Sequence, residues 1–320
     1  MYSEDEPLAI GRTKVAIAGC GAVGSALAFG LAQSHVCDDI MLIDINKRKA
    51  WADACDIRHS IAFAPYKMNV TDGDYSMCGD VDVVVLALSS AYHGTSREDM
   101  IGSTGTVIST VVPEIMHSGF NGTFVVITNP VDTVTYMVKK LSGLPDSKVI
   151  GTGTSLDSAR LRYCIAERLL TDVRDVDAFF FGEHGPSQFV PWSCVRVGGK
   201  DIAKILAKDD LALIERTALD LKQRVTGIKG AAVFGIASVA LQIVRAVLHD
   251  ENTEMPISAT LNGEYGISDI CLGVPSRIGH GGITSVTEYE LNADEKIKML
   301  STAAEVRRSI EKIRHLVPNI

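Results

Sequence analysis

Short apolar runs alternate with longer amphipathic stretches through the first half of the chain. Lys14–Ala18 (KVAIA) predicts a strand that ends in glycines, and Ala22–Ser34 a helix. Residues 40–43 (IMLI) predict a second strand, and 47–64 a helix closed by Pro65. A strand follows at 81–88 (VDVVVLAL), a long helix at 97–118 and a strand at 123–128 (TFVVIT), with Pro130 where the next helix begins. Val149 and Ile150 lead into another glycine turn. Near-continuous β-branched runs belong to strands covered on both faces. Alternating with helices, they predict an α/β fold of the Rossmann type, a doubly wound parallel sheet.

The second half has a different rhythm. Strands are expected at 178–181 and 189–197, helices at 206–225 and 231–249, antiparallel strands at 253–260 and 270–274, and a charged terminal helix at 294–316. That is an α+β domain. We place the boundary at residue 150, giving a nucleotide-binding domain at 1–150 and a catalytic domain at 151–320.

Composition narrows the function. With 31 basic against 39 acidic residues the net charge is −8, a poor counterion for a nucleic-acid backbone. No run reaches the ~18 uninterrupted apolar residues of a membrane span. Seven cysteines are dispersed without a CxxC pair, which reads as reduced thiols and provides no zinc site. The sequence opens Ser3-Glu4-Asp5-Glu6, acidic where a signal peptide is basic. The expectation is a cytoplasmic protein that binds neither membrane nor nucleic acid and holds no metal.

Gly19-Cys20-Gly21-Ala22-Val23-Gly24 reads GxGxxG directly after the first strand, and Asp44 ends the next strand, 20 residues past Gly24. These glycines let backbone approach a pyrophosphate at a helix N-terminus, and an acid at that distance meets a ribose 2′-hydroxyl. A 2′-phosphate would be repelled, so NAD is favoured over NADP despite Lys47 and Arg48 nearby. The rival reading is a glycine turn with a structural Asp.

Four clusters carry ionisable or polar groups suited to one reaction. In Leu156-Asp157-Ser158-Ala159-Arg160, Asp157 and Arg160 share a helix face, either as a surface ion pair or as a carboxylate clamp. Gly182-Glu183-His184-Gly185 puts an imidazole on a turn, either as a plain surface residue, the commoner meaning, or as a neutral His that exchanges protons near pH 7. The loop 88–100 (LSSAYHGTSREDM) carries Arg97 at the carboxyl end of a strand, where ligands bind in such sheets, and is either a loop that closes over the substrate or an ordinary solvated crossover. Asn129 either caps the helix at Pro130 or meets a ligand.

In order, GCGAVG, Asp44, GTSRED, TNPVD, LDSAR and GEHG resemble the L-lactate/malate dehydrogenase family over most of the chain, from Lys14 to the terminal helix. The stretches GTGTSLDSAR and GEHGPSQFVPWSCVRV are most similar to its L-2-hydroxyisocaproate dehydrogenase branch. The resemblance implies that His184 is the acid/base, with Asp157 holding its tautomer and Arg160 binding the substrate carboxylate. It implies that Arg97 polarises the carbonyl, that Asn129 orients carbonyl and nicotinamide, and that the protein is a homodimer or homotetramer. An NAD-dependent glycosidase would need metal ligands instead, and a non-catalytic NAD sensor would need no proton donor.

Departures from the family pattern bear on the substrate, a small 2-oxo or 2-hydroxy acid. The family's side-chain reader, six places before the loop Arg, falls on Ala91, where lactate enzymes carry Gln and malate enzymes Arg. A second pocket position, often Thr, falls on Gly230. Ala91 cannot pair a second carboxylate, which argues against malate. Two small residues predict a bulky apolar side chain, branched or aromatic, with lactate as the alternative. The strand before the loop reads Leu86-Ala87-Leu88-Ser89 rather than the family's Thr-Ala-Gly ending. In family members activated by fructose 1,6-bisphosphate, an Arg matching Arg162 works with a His, and Asp177 stands at the His position here. Adding that effector should therefore leave the substrate KM unchanged, and a marked fall in KM would contradict this reading.

Overall fold

The computed structural model describes residues 12–89 and 97–316. The elements run β1 (Lys14–Ala18), α1 (Ala22–Ser34), β2 (Asp39–Ile43), α2 (Lys47–Ser60), β3 (Asn69–Asp72), β4 (Val83–Leu86), α3 (Arg97–His117), β5 (Thr123–Val126), α4 (Val131–Ser142) and β6 (Val149–Gly151). They continue α5 (Ser155–Leu169), β7 (Val176–Asp177), β8 (Arg196–Val197), β9 (Lys200–Asp201), α6 (Lys208–Lys229), α7 (Val233–His249), β10 (Thr253–Asn262), β11 (Ser268–Gly279), β12 (Gly282–Val286) and α8 (Ala293–Leu316).

Strands β3, β2, β1, β4, β5 and β6 lie side by side and parallel, in that order. Their interior residues are buried on both faces, as the β-branched runs require. One face packs against α1, α2 and α7, through Leu27, Leu31, Ala54, Ile243 and Val244. The other packs against α3, α4 and α8, through Ile108, Val112, Val134, Met137 and Ile313. The order reverses at β1, which pairs with both β2 and β4, so a crevice opens there at the strands' carboxyl ends.

The sheet does not stop at β6. Antiparallel β10, β11 and β12 extend it to nine strands, through a contact of Ser258 on β10 with Gly151 on β6. A Cβ at Gly151 would stand 2.3 Å from Thr135 Oγ1 and 2.7 Å from the Ser258 Cβ, so the approach requires glycine. A small sheet of β7, β8 and β9 completes the second half.

Several expected boundaries move. Helix α2 stops at Ser60 rather than 64, because Pro65 disfavours helical backbone in its predecessor and residues 59–64 tighten into i→i+3 turns. The strand expected at 189–197 is cut by Pro191 and a 3₁₀ turn at Trp192–Cys194, which leaves only β8. Residues 178–181 are extended but form no ladder. Phe179 and Phe181 enter one core and Phe180 another, and single bridges join Phe181 to Phe189 and Gly182 to Gly273. Among the described residues no single helix is long and apolar enough to cross a membrane.

Replacing Gly151 with Ala should lower stability by about 1–3 kcal/mol by overpacking the junction. The urea midpoint of the variant would fall accordingly, and an unchanged midpoint would show that the junction can relax.

Candidate active site

The crevice at the β1–β4 switch widens into a cavity of about 660 Å³. Gly21, Ala22, Val23 and Asn129 line it from the sheet side, and Arg160, His184, Lys222 and Gly230 from the other.

On the sheet side each glycine has its own task. Gly19 adopts φ +104°, and a Cβ there would lie 2.4 Å from the Ala87 carbonyl oxygen, so β1 and the loop after β4 touch through backbone. A Cβ on Gly24 would strike the Gly19 carbonyl oxygen. Gly21 caps α1 with no side-chain hydrogen bond, and the space before its Cα is open to 4 Å. The first-turn amides of α1 thus face the cavity beside a clear approach, the arrangement a pyrophosphate needs. Asp44 accepts from the backbone N–H of Cys20 at 2.7 Å and of Asn46 at 2.8 Å, which ties the glycine loop to the end of β2 and leaves lone pairs for a ribose hydroxyl. Lys47 is drawn to Asp74, away from that role. Val23, Ile127, Leu156 and Ile236 add apolar wall. These residues fit a dinucleotide.

Asp157 is the centre of the other side. It sits in the first turn of α5 and is 2 % exposed. Its Oδ2 lies 2.6 Å from Nδ1 of His184, and its Oδ1 accepts from Arg160 NH1 at 2.9 Å. Burial pushes its pKa up. The hydrogen bond from His184 and the charges of His184, Lys222 and Arg160 outweigh that and hold it below the usual carboxylate range.

His184 is placed by its turn. Gly182 takes φ +99° against Thr302, whose Oγ1 accepts from the Glu183 N–H at 2.8 Å. The His184 N–H donates to Asp132 Oδ2 at 2.7 Å, and Ser258 donates to Asp132 Oδ1 at 2.6 Å. Burial raises the Asp132 carboxyl to about 6 against these hydrogen bonds. A carboxylate only accepts, so Nδ1 carries the proton and Nε2 presents a lone pair to the cavity.

The structure brings together His184, Asp157, Arg160, Asn129, Gly230 and the glycine loop. Capping does not explain Asn129, since Pro130 holds the N-cap of α4 without a side-chain bond and Asn129 lines the cavity. Ala91 lies outside the described residues, and so does the side chain of Arg97, whose backbone opens α3. Gly230 ends α6 at φ +79°, with Ala231 and Ala232 beside it in the wall. One residue was missed: the Lys222 ammonium is 3.4 Å from His184 Nε2 and 3.8 Å from Asp157 Oδ1. The signal was present, because Leu211, Ile214 and Ala218 form the buried stripe of α6 and Lys222 is its next position, four residues on. The loop argument against a second carboxylate does not extend to this cation.

Residues 13–151 match the family described as lactate/malate dehydrogenase, NAD binding domain, and 154–317 match lactate/malate dehydrogenase, alpha/beta C-terminal domain. The chain belongs to the lactate/malate dehydrogenase family. It is 39 % identical to an L-lactate dehydrogenase of Macrococcus caseolyticus, over 89 % of this chain and 92 % of that one. It is 41 % identical to L-lactate dehydrogenase 3 of Bacillus anthracis, over 88 % and 92 %. The ligand-bound crystal structure of a minor L-lactate dehydrogenase from Enterococcus mundtii superposes with a TM-score of 0.91 at 35 % identity, covering 95 % of this chain and 99 % of that one. A malate dehydrogenase from Salinibacter ruber gives 0.88 at 28 %, covering 95 % and 98 %. This lactate/malate dehydrogenase family member is an NAD-dependent oxidoreductase acting on the CH–OH group of 2-hydroxy acids.

Asp157→Asn should lower kcat by roughly 10³–10⁴-fold, since an amide can hold the wrong imidazole tautomer. Ionised Asp157 stabilises the fold above about pH 4, and that contribution is lost as pH falls through its lowered native pKa. Urea midpoints measured from pH 7 downward should therefore show a flatter acid limb in the variant. An acid limb identical to the parent's would remove Asp157 from this account.

Proposed function

We propose that the protein transfers hydride reversibly between NADH and a 2-oxo acid whose side chain exceeds the methyl of pyruvate, forming the L-2-hydroxy acid. The wall at Gly230, Ala231 and Ala232 carries this reading, because none of the three projects more than a methyl into the cavity. A larger side chain fills space that pyruvate leaves without contacts.

The nicotinamide supplies or accepts the hydride when bound. The rest falls to the chain's own residues. Arg160 keeps nitrogen donors for the substrate carboxylate beyond the one bonded to Asp157. In the oxidative direction the Nε2 lone pair of His184 accepts the hydroxyl proton as charge builds on oxygen. In reduction the imidazolium returns it. Asp157 stabilises the imidazolium across the 2.6 Å contact and holds the ring orientation in both directions. Asn129, three residues past β5, lines the same space. These are the roles that the family resemblance implies for these side chains.

A second reading, pyruvate to L-lactate, is favoured by the names of the relatives at about 40 % identity. Steady-state NADH oxidation with pyruvate, oxaloacetate, 2-oxoisocaproate and phenylpyruvate separates the two. A bulky oxo acid is expected to give the highest kcat/KM. Pyruvate ranking first would mean that another side chain fills the space and would make this a lactate dehydrogenase.

A further inference from the structure

We infer that Lys222 is a specificity-determining residue, and that the site selects 2-oxo acids whose side chain ends in a second anionic group, of the length of 2-oxoglutarate or 2-oxoadipate. This rests on the enlarged-cavity reading and replaces its apolar version.

The argument begins with the atom that Lys222 approaches. Its ammonium lies 3.4 Å from Nε2 of His184, the nitrogen that must meet the reacting oxygen of the substrate. An ammonium has only donors, so substrate and lysine compete for the same lone pair. Productive binding therefore moves the ammonium away from Nε2. Asp157 is a poor refuge, because it lies 3.8 Å away and already accepts from His184 and Arg160. Among the described residues the cavity walls carry hydroxyls and the Asn129 amide but no carboxylate, and Leu156, Ala231, Ala232 and Ile236 are apolar. The Thr226 hydroxyl is turned back to donate to the Lys222 carbonyl.

An apolar substrate side chain would leave this cation, whose side chain is 30 % exposed, with only its 3.8 Å contact to Asp157, beside an imidazole that must itself become cationic. An anionic terminus removes both problems. It gives the ammonium a charge-assisted partner and draws it off Nε2. Lys222 hangs from α6 on four methylenes, and withdrawal from Nε2 carries its head back toward that helix. The matching acceptor then lies beyond the first side-chain carbon, in the room left by the wall at 230–232. Arg160 stays with the 1-carboxylate, so the two cations divide the two anions.

The test compares kcat/KM for 2-oxoglutarate with that for 5-methyl-2-oxohexanoate, which has the same shape with an isopropyl group in place of the terminal carboxylate. The native enzyme with NADH should favour 2-oxoglutarate by roughly 100-fold, the scale of a hydrogen-bonded charge pair. Lys222→Met should abolish or invert that ratio, and Lys222→Arg should retain most of it. A native preference for the neutral isostere would overturn the inference. So would an unchanged ratio in K222M, or an equal loss on both substrates, which would confine Lys222 to an action on His184. Should K222M not fold, inhibition of the native enzyme by glutarate and by 5-methylhexanoate gives the same comparison, with tighter binding of glutarate expected. Pyruvate outrunning both substrates would contradict the enlarged cavity, while the ratio between the isosteres still decides the role of Lys222.

Discussion

One buried carboxylate organises the candidate active site of this molecule. Asp157 is almost wholly removed from water, and a lone ion there would be costly. Three nitrogen-bearing side chains surround it: His184 from a turn, Arg160 from its own helix and Lys222 from α6. Each lowers the cost of keeping Asp157 ionised, and each is oriented by it in turn. The imidazole tautomer, the direction of the guanidinium and the polarity of the cavity follow from satisfying this single group.

The surroundings are built to hold that arrangement. The turn bearing His184 is fastened through backbone rather than through the imidazole ring. Asp132 takes the His184 amide, Thr302 takes the Glu183 amide, and the Glu183 carboxylate accepts from Ser187. The ring itself bonds to Asp157 and keeps Nε2 toward the cavity. On the cofactor side Asp44 plays a comparable part, binding the glycine loop to the neighbouring strand before any ligand arrives.

What could be read from the sequence depended on how local its cause was. The first strand, the glycine loop and α1 follow from a contiguous pattern, and their bounds emerge as expected. His184, Asp157 and Arg160 were legible because their short motifs occur in a specific order. Edge strand β3 was not, because NVTD buries a single residue and has no apolar signature. The stretch 178–197 misled because alternate burial between two cores imitates a ladder strand. Lys222 was hidden for another reason. A lysine on a long helix reads as a solvated face until the buried stripe at 211, 214 and 218 is followed one step further. Its meaning depends on His184, 38 residues earlier in the chain, and only the fold brings the two together.

The close approach of Gly151 and Ser258 makes the nine-stranded sheet a common beam beneath both halves. Such a beam stiffens the strands it joins, and swinging one half against the other would have to strain the Gly151–Ser258 approach. Among the described residues, adjustment to substrates of different length falls to side chains that swing, retract or extend. Of the side chains that line the cavity, Lys222, on its long stem, has more reach than Gly230, Ala231 and Ala232.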